Sequence, residues 1–208
     1  MALDAHDPLA RVRAALSFAP APGAFGGDHA LNATAGAATA ADLAQAIPAA
    51  VLIGLIARPD GATVLLTERA LHLRAHSGQI AFPGGKIDPH DAGPVGAALR
   101  EAHEEIGLGA EHVDPLGVLE PYLSGSGYRI TPVVAEIRTP FGLAINHDEV
   151  ADVFEAPLSF LLDPANHRRQ SREWRGQMRH YYEMPWRNRY IWGVTAGILR
   201  NLSERLGR

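Results

Sequence analysis

Cysteine is absent from this chain of 208 residues. That absence excludes a disulfide scaffold, thiolate-bound zinc, iron–sulfur clusters and a cysteine nucleophile. A positive charge balance is also missing. The 19 Lys and Arg stand against 23 Asp and Glu, a formal net charge of -4, so no overall basic field favours nucleic acid as a partner. Long apolar runs are absent too. The longest, Ala49–Ala57, is already broken by Gly54 and falls well short of the ~18–20 residues that span a bilayer. The N-terminus places Asp4 and Asp7 ahead of its first arginine and has no apolar signal core, unlike an export signal. A cytoplasmic protein with no membrane partner is expected. What remains is ordinary for one soluble domain with trimmings: 47% hydrophobic residues, 20% charged residues and 22.3 kDa. That is enough chain to bury a core without staples.

The spacing of Leu9, Val12, Arg13 and Leu16 predicts a short amphipathic helix over residues 7–16. Residues 19–46 are rich in Ala, Gly and Pro. They read as a partly mobile surface excursion with one helical turn around Asp42–Ala46. Residues 1–48 are therefore separated from a main domain over residues 49–208. Ala49–Ala57 is apolar on both faces, as a central strand is. Arg58-Pro59-Asp60-Gly61 turns it back into a second strand over residues 62–68. Residues 71–82 read as loop and Pro83-Gly84-Gly85 as a sharp bend. Pro94–Ile106 reads as a helix stopped by Gly107. Strands are expected over residues 116–122, 128–137, 150–154, 179–183 and 190–192, and a C-terminal helix over residues 195–206. This order predicts the α/β (α+β) class, with a mixed sheet covered by helices.

The chemistry concentrates in residues 84–108, GGKIDPHDAGPVGAALREAHEEIGL. On a helical wheel Glu101, Glu104 and Glu105 share an arc of about 100°, while Ala98, Leu99, Ala102 and Ile106 occupy the adjoining arc and face the sheet. Like charges at these spacings repel by a few tenths of a kcal/mol per pair, and the helix C-terminus disfavours them further. A hard divalent cation, Mg2+ or Mn2+, reverses both penalties. The plainer reading is a solvated acidic face. Arg100, four residues before Glu104, is placed to hold that carboxylate.

The segment resembles the Nudix box, G-x5-E-x7-R-E-U-x-E-E-x-G-U, through Gly85, Arg100-Glu101, Glu104-Glu105, Gly107 and Leu108. It departs from the usual form in having Asp91 in place of glutamate, one extra residue before Arg100, and Ala102 at the aliphatic position. Upstream, residues 65–85, LLTERALHLRAHSGQIAFPGG, resemble the LLTxR(S/A)x3Rx3Gx3FPGG signature of the coenzyme A pyrophosphatase branch of Nudix hydrolases. They match at Leu65, Leu66, Thr67, Arg69, Ala70, Arg74, Gly78, Phe82, Pro83, Gly84 and Gly85. The aspartate and the longer spacing are habits of that branch.

The resemblance implies a Nudix-type α/β/α sandwich. It also implies metal-dependent hydrolysis of the pyrophosphate of coenzyme A or its derivatives to 3',5'-ADP and 4'-phosphopantetheine. Alternatives are another nucleoside diphosphate derivative, such as ADP-ribose, or a noncatalytic nucleotide-binding domain. Glu101 and Glu105 are expected as the main ligands of Mg2+ or Mn2+, with Glu104 a third ligand or the group that orients water. The base comes from the box or from a later loop, where Glu149 and Asp148 are the candidates; residues 146–149 also read as a plain turn before a strand. Arg69, Arg74 and Lys86 are candidate phosphate contacts, and each also reads as a surface charge. Gly84 and Gly85 let the backbone bend close to the metal and substrate. Homodimerisation, common in the family, is a further expectation.

Residues 166–189 form a second charged region. Arg168, Arg169, Arg172, Arg175, Arg179, Arg187 and Arg189 face only Glu173 and Glu183 and interleave with Trp174, Tyr181, Tyr182 and Trp186. They read either as a recognition surface for the 3'-phosphate and adenine of coenzyme A or as a solvated face.

Overall fold

The computed structural model describes residues 9–19, 23–32, 38–174 and 176–207, so Asp7 and Arg175 lie outside the described residues. In chain order the elements are α1 (Ala10–Ala15), β1 (Gly26–Gly27), α2 (Ala40–Gln45), β2 (Ile47–Arg58), β3 (Gly61–Arg69), β4 (Ile80–Ala81) and β5 (Gly84–Lys86). Next come α3 (Gly93–Ile106), β6 (Val113–Val118), β7 (Tyr122–Leu123), β8 (Tyr128–Ile137), β9 (Val150–Pro157) and α4 (Leu158–Leu162). The chain ends in β10 (Arg168–Trp174), β11 (Gln177–Trp186), β12 (Arg189–Trp192) and α5 (Gly193–Gly207).

The doubly apolar pattern of β2 makes it the centre of a mixed sheet. It runs parallel to β8 and antiparallel to β3 and β5. The sheet order is β1-β7-β8-β2-β3-β4, with β6 on β8 and β9 on β3. Alternation along β2 sends Ala50, Leu52 and Ile56 against Ala97, Ala98, Ala102 and Ile106 of α3. Ala49, Ile53 and Leu55 point to the opposite face, where Ile198, Leu199 and Leu202 of α5 and Leu9 and Val12 of α1 close the core. Helices therefore cover both faces, as in the expected α/β/α sandwich. The alanines of α3 pack against Ala50, Leu52 and Ile56 of β2, which sets Glu101 and Glu105 beside Gly85 and Gly84 of β5. Leu52 is fully buried, and truncating such a leucine to alanine removes about 2–5 kcal/mol.

The Arg58–Gly61 turn joins β2 and β3 as expected, with those two residues paired. Other local expectations are corrected. The 83–85 bend is part of a strand, since Gly84, Gly85 and Lys86 pair with Val51, Ala50 and Ala49. The loop read over residues 71–82 ends in β4, paired to β3. The single strand expected over residues 116–122 is two, β6 and β7, with a register shift between Pro115 and Gly117. Neither α4 nor β10 was expected. β10 pairs with β11, and β11 with β12, in a separate antiparallel sheet. The 19–46 excursion also packs in part. Gly26–Gly27 extends the main sheet beside β7, and Asp28 accepts hydrogen bonds from the Tyr122 hydroxyl (2.7 Å) and the Gly125 amide (2.8 Å). The helical turn read there is α2, opened by a Thr39/Asp42 capping box.

Candidate active site

The three glutamates of α3 differ sharply in burial. Their side chains are 5% exposed at Glu105, 15% at Glu101 and 52% at Glu104. The wheel reading placed all three on an outward face; instead α3 packs on the sheet so that Glu105 faces β5, the neighbour of β2. The Gly84 amide donates to Glu105 Oε2 at 3.3 Å, and Arg69 Nη1 stands 3.9 Å from Glu105 Oε1. Burial pushes the Glu105 carboxyl up to about 8. The Gly84 amide and Arg69 oppose that rise, and the nearby charges of Glu101 and Glu149 add to it. Glu101 is also raised, first by burial, then by Glu104 and Glu149 against the pull of Arg100.

Two glycines make this packing possible. A Cβ on Gly84 would run into the Ala50 carbonyl and the Val51 backbone. A Cβ on Gly85 would overlap the Glu101 carboxylate. A side chain at either position would therefore displace the strand or the acid.

Arg100 organises the acids around it. It grips Asp91 with a two-pronged contact of 2.9 and 3.0 Å, as guanidinium and carboxylate geometries allow. It also donates to Glu101 (3.0 Å), Glu104 (2.9 Å) and the Lys86 carbonyl (3.0 Å). The expected Arg100–Glu104 pair is thus present within a larger cluster. The Arg100 guanidinium holds Asp91 below the usual carboxylate range. The aspartate that looked like a departure from the box is the group that orients the arginine, a role that motif comparison alone did not reveal.

Glu149 reaches the same region from a loop tied to the end of α3. The Ala144 and Asn146 amides donate to the carbonyls of Ile106 and Glu105, and the Glu149 carbonyl accepts from Ala70. Its carboxylate accepts from Asn146 Nδ2 at 3.3 Å. Asp148 is exposed, and its amide bonds to Asn146 Oδ1. Residues 146–149 therefore form a turn before β9 that also brings Glu149 within electrostatic reach of Glu101 and Glu105.

Among the described residues no three His, Asp or Glu side chains already converge as a metal cage, because Arg100 draws Glu101 and Glu104 to itself. The donors nonetheless fit a hard divalent cation. They are all carboxylate oxygens, and Glu101, Glu105 and their acidic neighbours disfavour one another's charge. Arg69 Nε, buried with no hydrogen-bond partner among the described residues, is instead a donor suited to an anion beside that ion.

A cavity of about 530 Å3 opens beside Glu105, within the range of small-molecule sites. Arg69, His76, Gln79, Phe82 and Gly84 line one part of it; Asp28, Asn32, Arg172, Arg179, Tyr181 and Trp192 line another. Of the other sequence candidates, Arg74 and Lys86 are exposed and lie outside this lining. Asp28 and Asn32 were not anticipated, and residues 19–46 carry no local pattern that could have singled them out. Among the described residues no helix is long and apolar enough to cross a membrane.

The NUDIX domain family matches residues 47–176. The chain is 44% identical over 158 residues to an uncharacterized Nudix hydrolase, NudL, of Yersinia pestis (strain Pestoides F), covering 76% of this chain and 79% of that protein. NudL of Yersinia pseudotuberculosis serotype O:1b (strain IP 31758) matches with the same identity and coverage. Among solved structures, the Nudix hydrolase RenU of M. smegmatis is 29% identical, covering 54% of this chain and 71% of that chain, with a TM-score of 0.44.

Proposed function

This chain belongs to the NUDIX domain family, and from the upstream signature over residues 65–85 we propose that it hydrolyses the diphosphate of coenzyme A to 3',5'-ADP and 4'-phosphopantetheine. One observation carries the reading: residues of both sequence signatures border a single cavity. Thr67, Arg69, Phe82 and Gly84 of the upstream signature line the space that ends at Glu105 of the box.

Nudix hydrolases generally use divalent metal ions such as Mg2+ or Mn2+. Glu101 and Glu105, with Glu104 as a further donor, would hold that ion here. When bound it neutralises phosphate charge and makes water more acidic. The remaining work belongs to the chain's own residues. Arg69, with its unsatisfied Nε, grips diphosphate oxygens. Glu149 accepts the proton of the attacking water. The water oxygen ends on one phosphate and the former bridging oxygen on the other. Asp91 holds Arg100, which keeps Glu101 and Glu104 in place beside the site.

The test is product analysis after incubation with Mg2+ or Mn2+ and a panel of coenzyme A, ADP-ribose and a dinucleoside polyphosphate. Coenzyme A cleaved with the highest kcat/KM supports the proposal. Faster cleavage of another member transfers the activity to that diphosphate, and tight binding without turnover makes the domain a nucleotide sensor.

A further inference from the structure

We propose that Arg172 and Arg179 form a second anion subsite in the same cavity, one that takes a phosphomonoester on the nucleoside side of the substrate, apart from the diphosphate that is cleaved. The proposal rests on the coenzyme A reading above and names what distinguishes that substrate from its dephosphorylated form.

The two arginines are directly opposite partners on β10 and β11, and both line the cavity. Like charges facing each other across antiparallel strands destabilise the pair. A hairpin under no other demand has little reason to place them there, whereas a bound anion turns the repulsion into a two-sided grip. Among the described residues no hydrogen bond or ion pair holds the Arg172 side chain. The alternation of the strands puts the pairs Gln170–Tyr181 and Arg168–Glu183 on the same face, with Trp192 opposite Glu183 on β12. Glu183 is buried and already accepts from Gln170 Nε2 (3.0 Å) and the Tyr190 hydroxyl. Asp28, on the cavity wall, is engaged by Tyr122 and Gly125. Arg172 and Arg179 thus bring two guanidiniums to this wall, while the carboxylates of Asp28 and Glu183 beside them are already engaged.

The hairpin is held in place. Asn32, only 5% exposed, donates to the His180 carbonyl (3.0 Å) and accepts from the His180 amide (2.7 Å). It also donates to the Asp28 carbonyl (2.7 Å). Residues 28–32 thus act as a strap that fixes Arg179, the neighbour of His180, over the cavity. Tyr181 and Trp192, edge to face at 5.3 Å, supply an apolar surface beside the arginines on which a base can lie.

The experiment compares kcat/KM for coenzyme A and 3'-dephospho-coenzyme A, with Mg2+, in wild type, Arg172→Ala/Arg179→Ala and Arg172→Lys/Arg179→Lys. Wild type should prefer coenzyme A by about tenfold or more, the strength of a charge-assisted phosphate contact. The alanine pair should collapse that ratio to about twofold or less, chiefly through KM, and the lysine pair should keep most of it. A ratio unchanged in the alanine pair overturns the proposal. Calorimetry with adenosine 3',5'-bisphosphate and 5'-AMP separates it from the coenzyme A reading. If neither ester is hydrolysed but the bisphosphate binds about tenfold tighter only when the arginines are present, the subsite stands and the substrate assignment falls. Equal binding of both nucleotides to wild type removes the subsite whatever is hydrolysed. Should the alanine pair fold poorly, Arg172→Gln at its exposed position carries the same comparison.

Discussion

Glu105→Gln should stabilise the metal-free protein while removing its activity. Glu105 is buried, with one amide at 3.3 Å and one guanidinium at 3.9 Å as its favourable neighbours. In the unfolded chain its carboxyl ionises near 4.5; in the folded protein burial pushes it up to about 8. Between those values the folded state holds a proton that the unfolded state has released. Stability therefore falls as pH rises through this window, and the full penalty is in place above it. At about 1.4 kcal/mol for each pH unit the ceiling is roughly 5 kcal/mol. Relaxation of Arg69 and entry of water reduce this, so we expect about 2–3 kcal/mol. Glutamine has the same shape, keeps an acceptor for the Gly84 amide and never ionises.

The assay is urea denaturation of both proteins in chelator at pH 5, 6.5, 8 and 9. The variant's advantage should be small at pH 5 and widen to its plateau above pH 8. Saturating Mg2+ should stabilise wild type but not the variant at pH 8, and kcat/KM should fall by about a hundredfold or more. A difference that stays flat with pH would refute the reasoning, because it would mean that the Glu105 charge is solvated.

Gly84→Ala should destabilise the fold by about 2–4 kcal/mol, since the new methyl meets backbone; thermal melting checks it. Gly85→Ala meets the Glu101 carboxylate instead, so its melting temperature should change little while kcat falls about tenfold; retained kcat would show that Glu101 can move freely. Asp91→Asn breaks the two-pronged contact to Arg100 and should lower activity by about ten- to hundredfold, as measured by steady-state kinetics. Arg69→Ala should raise KM by about tenfold, and Arg74→Ala by less than about twofold, because only Arg69 borders the cavity. Equal effects would place the substrate outside that cavity.

Much of the fold was legible because its signals are local. The two-faced apolar run of β2, the Pro59-Asp60 turn and the alanine face of α3 each state a local pattern within a dozen residues. The candidate acids and Arg100 were legible for the same reason, as one helix carries them all. β10 escaped notice because a strand rich in arginine shows no apolar alternation; its identity comes from backbone pairing with β11. Asp28 and Asn32 sit in a stretch of small residues, and their partners lie 94 and 148 positions away.

The amino-acid order by itself determined which residues share a strand or a helix face, since those periodicities depend only on neighbouring backbone geometry. It thereby determined that three glutamates and an arginine cluster on α3. Only the tertiary structure decided which glutamate is buried, that Asp91 is the partner of Arg100, and that a remote hairpin and a strap of residues 28–32 wall the cavity. Burial and charge coupling depend on distances between segments, which chain closure sets and no local pattern encodes.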